Sequence, residues 1–516
     1  MLPLTILAVF VFLPGVMFSL ARWRNPRFWV YWSMTGAGIL VVGLLVTVSS
    51  RFSPLTTIVL PILGGMESQL ITFFALDALA RVMALVWLSL AAALVFGLLQ
   101  QAYQISWTVW AQVCVISAVG LAIIMSGNLV TLLLMWAVSD ALMAFLTIRR
   151  ADVGEKYRST MLAVSSRLVA LVLGLFVLAS AGGDGYVLTR DVGIFVVFAV
   201  IFRVGLVPMQ VLRGIASAPS TDSQRVLRNQ LPVLGAVVLL LRFTEVGALT
   251  GGADWLRALV YVGMLVGGIG WLRAADPRRG RPYWVLGVSS LLLIAALNGN
   301  FAAAIAWSLA LFLPLAAFTY PYAESIFLRP IQVLSVIAVS GLPFTPLWQG
   351  AQIFAGVGLE PFVLWISWGI LLAGCVRFLR QPSHPSERPA IGEQSIASLG
   401  LFSLVATFIF ATEWSWREFG TPSPWVWEVG IAYLVGLAAL RFVVKPVPLP
   451  VAVGEIPRRL NPWGWLLRVF DRFYRLTGNL LRLVTNILEG DGGILWAILL
   501  LAVLLAGLTQ SGALNP

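Results

Sequence analysis

Arg203 is the residue in this chain whose type and place carry the most chemistry. It sits inside the apolar run 195–206 (FVVFAVIFRVGL), five residues before Pro208, and a polar connection with Ala218-Pro219 leads to a second apolar run broken by Pro232. A proline removes a backbone N–H and collides with the carbonyl one turn earlier, so it leaves carbonyls unsatisfied in mid-helix. Inside a membrane only protein or enclosed water can satisfy such groups. A charge at the same depth is expensive and marks a functional position by default. Arginine and proline together predict a hydrated polar site near the middle of a bilayer.

The elements that must position this site are membrane helices. Of 516 residues, 59% are hydrophobic and 11% charged, with mean hydropathy +0.93, which places the chain among integral membrane proteins. The net charge of +12 does not indicate a nucleic-acid partner, because the basic residues cluster at the ends of apolar runs as in a positive-inside protein. Nearly all of them are arginine; Lys156 and Lys445 are the only lysines. Cys114 and Cys375 both lie within apolar runs and form neither a disulfide framework nor a metal cluster. The single histidine, His384, falls in a Pro/Ser loop and cannot build a multi-histidine metal site.

Sixteen spans are expected, at 2–20, 28–49, 71–98, 105–125, 128–148, 159–180, 191–212, 229–249, 255–272, 283–297, 301–319, 331–350, 361–378, 394–412, 425–443 and 492–510. No basic segment precedes the first, so it reads as a span and not as a cleaved signal. With the N-terminus outside, every strongly basic connection falls on one side, from Arg22/Arg24/Arg27 through Arg273/Arg278/Arg279/Arg281 to the stretch after Lys445. Glu67, Asp184, Asp254, Glu413 and Glu418 fall on the other, so both termini are predicted on the outer side of a prokaryotic-type inner (cytoplasmic) membrane. Between Arg458 and Glu489 arginines alternate with Leu, Trp and Phe. This is the pattern of a basic amphipathic helix lying along the inner surface. A second proline-broken span carries Pro343 and Pro346, five spans after that of Pro208, as inverted five-helix repeats would place it. The expected organisation is 1–104, then repeats at 105–249 and 255–378, then 394–443, a lateral helix at 455–490, and a last span in 491–516.

Several motifs fall in order along these spans: Phe74–Leu79 (FALDAL), Asn128-Leu129 through Met135-Trp136, Phe202-Arg203 with Val207-Pro208, and Ala218-Pro219 with Ser223 leading to Leu239–Phe243 (LLLRF). Gly341-Leu342-Pro343 through Trp348 follows, and then Leu488–Gly493 with Trp496. Together they resemble the antiporter-like membrane subunits of respiratory complex I (NADH:quinone oxidoreductase) and their relatives. Those relatives are Mrp-type cation/proton antiporters, membrane-bound hydrogenases and inorganic-carbon uptake complexes. The resemblance implies an all-helical membrane fold and proton or cation translocation along a central row of polar residues, coupled to a partner module.

The chain departs from the pattern along that row. The resemblance expects a glutamate where Ala137 stands, and lysines where Arg203, Val233 and Ala351 stand; Gln210 occupies the place of a histidine. Lysine can lose its proton when buried, whereas the arginine pKa, above about 12, keeps Arg203 charged. Arg203 is therefore a fixed charge that tunes a neighbour. Asp140, one turn beyond Ala137 on the same face, is either its displaced partner or a carboxylate near the inner helix end, paired locally with Arg149 or Arg167. Arg167 and Arg242 either line the inside cavity or reach along the surface to the interface. Asp77 is expected to hydrogen-bond within the bundle, and Glu245 to pair with Arg242 three residues before it.

No dinucleotide fingerprint, P-loop or paired CxxC is present, so no cofactor, metal or catalytic centre is expected in this chain. At most it is a subunit of a quinone-oxidoreductase-type translocase. The partners implied are other membrane subunits, the lipid bilayer, and a soluble redox module or zinc-bearing carbon-uptake module. The alternative to translocation is a degenerate structural subunit that keeps the fold without conducting.

Overall fold

The computed structural model describes residues 2–23, 28–52, 56–60, 72–98, 106–148, 155–180, 192–205, 222–247, 249, 254–274, 276–318, 328–355, 359–380 and 391–420. Pro208, Gln210, the spans expected at 425–443 and 492–510, and the lateral helix lie outside the described residues.

The described chain is a helical bundle. Its first helices are α1 (Leu2–Trp23), α2 (Phe28–Phe52), α3 (Ala78–Leu98), α4 (Trp107–Ile124), α5 (Leu129–Ile148), α6 (Glu155–Ser180) and α7 (Gly193–Val204). After these come α8 (Asp222–Glu245), α9 (Asp254–Arg273), α10 (Pro277–Leu297), α11 (Phe301–Ala317), α12 (Leu328–Ala338), α13 (Leu359–Arg380) and α14 (Ile391–Phe419). Eleven of them are long and apolar enough to cross a membrane. The exceptions are α7, α11 and α12, the first and last of which are 12 and 11 residues long.

The two short helices stop where the sequence breaks them. α7 closes on Gly205 at φ +83°, and α12 is followed by Gly341 at φ +74° and then by Pro343 and Pro346. Beyond that break the chain resumes as a 3-10 helix, Pro346–Phe354, where the expected span at 331–350 has one continuous helix. Phe344 is held at φ +65° in the break, a conformation unusual for a residue with a side chain. α8 lies at the centre and packs against α3, α4, α5, α7, α10 and α11.

One feature departs from the all-helical expectation. The span predicted from residue 71 starts as a strand: β1 (Thr56–Leu60) pairs antiparallel with β2 (Thr72–Leu76), Thr56 opposite Leu76, and α3 begins only at Ala78. The run TFFAL is rich in residues that favour extended backbone. β2 is tied on to the α4–α5 connection, with Ala75 N–H donating to the Met125 carbonyl at 2.7 Å and Gly127 N–H to that of Phe73 at 2.8 Å. The Thr131 hydroxyl accepts from Phe73 N–H at 2.7 Å.

This end of the bundle is also where Asp77 works. Its Oδ1 accepts from Ala80 N–H at 2.7 Å, capping α3, and its Oδ2 accepts from Arg242 in the last turn of α8 at 2.5 Å. A side-chain cap satisfies one of the N–H groups a helix start leaves open. Asn128 does the same for α5, and Asp276 for α10. Arg242 also reaches Glu245 at 3.5 Å.

The cap and the ion pair at Asp77 separate by mutation. In thermal or denaturant unfolding of the detergent-solubilised chain, Asp77→Asn keeps the cap and loses only the charge. Asp77→Ala loses both and is expected to be less stable than Asp77→Asn by about 1 kcal/mol, the usual worth of a cap.

Candidate functional site

The site is assembled from α5, α7 and α8. Trp136 and Asp140 are four residues apart on α5 and so share one face. Arg203 arrives from the last turn of α7, where a cation is favoured by the exposed carbonyl end of the helix. Its Nη1 donates to Asp140 Oδ2 at 2.9 Å and its Nη2 to Oδ1 at 3.3 Å. Nη2 also donates to the Ser139 hydroxyl at 2.9 Å, which in turn donates to the Trp136 carbonyl at 2.8 Å. The guanidinium lies over the Trp136 ring, 4.0 Å from its centroid. Arg203 is 3% exposed and Asp140 9%.

Asp140 is therefore held by Arg203 across the helix boundary, and not by Arg167 on α6; Arg149 lies outside the described residues. Two parallel N–H···O contacts to one carboxylate suit the planar fork of an arginine. The ring beneath adds a cation–π contact, which strengthens when both groups are withdrawn from water.

α8 comes this close because residue 235 is a glycine. A Cβ there would stand 2.6 Å from Trp136 Nε1 and 3.2 Å from Arg203 Nε. The end of α7 is closed by α6, where the Ser166 hydroxyl donates to the Phe202 carbonyl at 2.6 Å. Ser139, Ser166 and Gly235 were not singled out from sequence, and Trp136 entered only as the end of a motif. The i, i+4 spacing of Trp136 and Asp140 was the one signal available for any of them.

Beside the pair is a cavity of about 340 Å³, lined by Arg167, Phe202, Arg203, Asn229, Gln230 and Pro232 among others. It continues to the arginine-rich start of α10, at Arg278, Arg279 and Arg281. Arg167 faces it and is 7% exposed, so it does not extend to the interface. Val233, at an expected lysine position, is part of the same wall. Arg242 is elsewhere. It does not line the cavity and does not snorkel; it is buried against Asp77, seven residues and about 10 Å along α8 from Gly235.

The second half of the described bundle is different in kind. Among the described residues from Ser289 to Gln349 the buried polar side chains are all uncharged. An amide chain runs from Asn300 Nδ2 to Gln352 Oε1 (3.0 Å), from Gln352 Nε2 to Gln349 Oε1 (2.8 Å), and from Gln349 Nε2 to the Gly420 carbonyl (2.6 Å). Ala351, where a lysine is expected, is buried in the 3-10 helix that carries both glutamines. Pro343 lies in the break before it, and Pro346 is its first residue.

No family model and no curated protein matches the chain. Solved structures do. A chain of the Mrp complex from Dietzia sp. DQ12-45-1b superposes over 100% of this one with TM-score 0.68 at 15% identity, and this chain spans 63% of its length. A chain of the membrane-bound sulfane sulfur reductase, an archaeal respiratory membrane complex, matches with TM-score 0.62 at 13% identity, covering 97% of this chain and 100% of that one. At such identities the likeness establishes the fold, that of a membrane chain found in multisubunit membrane complexes, as the sequence motifs led one to expect.

The pair is expected to be coupled in stability. Asp140→Asn or Arg203→Gln alone leaves a buried charge without its partner, at a cost of about 3–5 kcal/mol. The double variant is expected to cost less than the sum of the two by about 1–3 kcal/mol. A double-mutant cycle by unfolding in detergent measures this, and strict additivity would deny the pairing.

Proposed function

We propose that this chain is an ion-translocating membrane subunit of an antiporter-like multisubunit assembly, in which Asp140 carries the proton or cation and Arg203 is the fixed charge that controls it. The observation carrying this reading is a buried carboxylate, clamped by an arginine that also forms the wall of a cavity. Arrival of a proton or cation at Asp140 neutralises the counter-charge of Arg203 and releases the clamp. Departure re-forms it. Arg203 itself stays charged throughout, because a guanidinium does not give up its proton.

The partners in this reading are other membrane subunits and a module that supplies the driving force, either a soluble redox module or a carbon-uptake module. The membrane is a prokaryotic inner membrane with the arginine-rich loops on the cytoplasmic side. Helices α7 and α12, each short and each followed by a glycine at positive φ, support two inverted repeats at 105–249 and 255–378.

A second reading is favoured by the amide chain. Asn and Gln neither take up nor release protons near neutral pH, and the described second half offers no buried charge in their place. A subunit so changed serves as a scaffold, retaining the fold that holds its neighbours.

Flux measurement on the purified assembly in liposomes decides between them. For a translocating subunit, Asp140→Asn abolishes the flux carried by this chain while co-purification of the partner subunits is unchanged. Flux equal to the unaltered assembly removes Asp140 from the path and leaves the scaffold reading.

A further inference from the structure

Arg167 presents an electrostatic problem that the ion pair does not solve. It is buried, it faces the cavity, and among the described residues it makes no hydrogen bond or ion pair. The charges it feels are Asp140, which attracts it, and Arg203 and Arg228, which repel it. Both oxygens of Asp140 are already taken by Arg203, at 2.9 and 3.3 Å. A guanidinium withdrawn from water needs a counter-charge, and this one faces open space.

The space is built for an anion. Among the described residues its wall carries Arg167, Arg203, Arg225, Arg278, Arg279 and Arg281 against one carboxylate, Asp276. That carboxylate is occupied, because its Oδ1 caps α10 by accepting from Arg279 N–H at 2.8 Å and its Oδ2 lies 3.3 Å from Arg279 Nε. The start of α8 also borders the cavity, through Arg225 and Val226. Helix starts present unpaired N–H groups and a partial positive charge. The amides of Asn229 and Gln230 add further polar wall.

We propose that this cavity binds an oxyanion of the phosphate type, with Arg167 as its innermost ligand and Arg279 near its mouth. A planar guanidinium grips two oxygens of such an anion at once, which a spherical halide cannot exploit. At about 340 Å³ the cavity has room for the anion together with water. Two sources share this chemistry: free phosphate from solution and the phosphate of an anionic lipid headgroup.

The full-length chain, purified in detergent without phosphate, is titrated with inorganic phosphate by calorimetry, and its retained lipids are counted by native mass spectrometry. Saturable 1:1 phosphate binding is expected, weakened at least tenfold in Arg167→Gln and partly restored in Arg167→Lys, which keeps the charge and loses the fork. Arg279→Gln, on a mostly solvated side chain, is expected to weaken binding about threefold and guards against misfolding of the inner variant. An anionic lipid retained by the unaltered chain and lost in Arg167→Gln identifies the headgroup as the source. Phosphate affinity indifferent to both substitutions, or neither phosphate binding nor an Arg167-dependent lipid, overturns the proposal. The readout is binding, so it stands or falls separately from ion flux.

Discussion

A charge inside a bilayer must find its counter-charge within the protein, and the Arg203–Asp140 pair is where this chain meets that demand. Much of the local architecture follows. α7 has to end inside the bundle so that an arginine in its last turn can cross to α5, and Gly205 ends it as a left-handed residue. α5 has to present Trp136 and Asp140 one turn apart, so that the ring supports the guanidinium while the carboxylate receives it. α8 has to pass closely enough to seal the pair, and only a residue without a Cβ allows it at 235.

The two ion pairs divide the work. Asp77–Arg242 joins the start of α3 to the end of α8 at the end of the bundle where the β1–β2 hairpin ties α3 to the α4–α5 connection. It is partly exposed on the Asp77 side and also serves as a helix cap, which is the profile of a structural tie. Asp140–Arg203 caps nothing, is deeper, and adjoins a cavity. The same two residue types therefore have different consequences, set by depth and by what lies beside them.

The sequence made some of this legible and hid the rest for a physical reason. Helix positions could be read because about twenty apolar residues are required to cross a bilayer, and breaks because glycine and proline act locally on the backbone. Arg203 and Asp140 could be read as unusual because a charge in an apolar run is expensive wherever it lies. Their pairing was one of two readings the sequence left open, since residues 63 apart meet only through the packing of α5 against its neighbours. Gly235 looked like any helical glycine until the Trp136 ring was placed against it. The strand at Thr72–Leu76 was taken for helix because a buried strand and a buried helix segment are both continuous apolar runs. Arg242 was assigned to the inside cavity or the interface because its partner, Asp77, lies 165 residues earlier, and the expectation that Asp77 bonds within the bundle named no partner for it.

An arginine at the place where the motif resemblance leads one to expect a lysine limits what the site can do. Two titratable partners can pass a proton between them; a pair containing arginine has one titratable member, and the other only reports its state by holding or releasing it. Neutralising Asp140 adds one positive charge to a cluster that already contains Arg203, Arg167 and Arg228. An oxyanion beside Arg167 removes that excess. In the proposed scheme the two events favour each other, and since coupling between two binding events is reciprocal, whatever occupies the cavity biases the charge state of the carboxylate by the same factor as the carboxylate biases occupancy. The arginine-rich cavity is then the counterweight that allows a fixed cation to remain in the membrane while its carboxylate partner changes state.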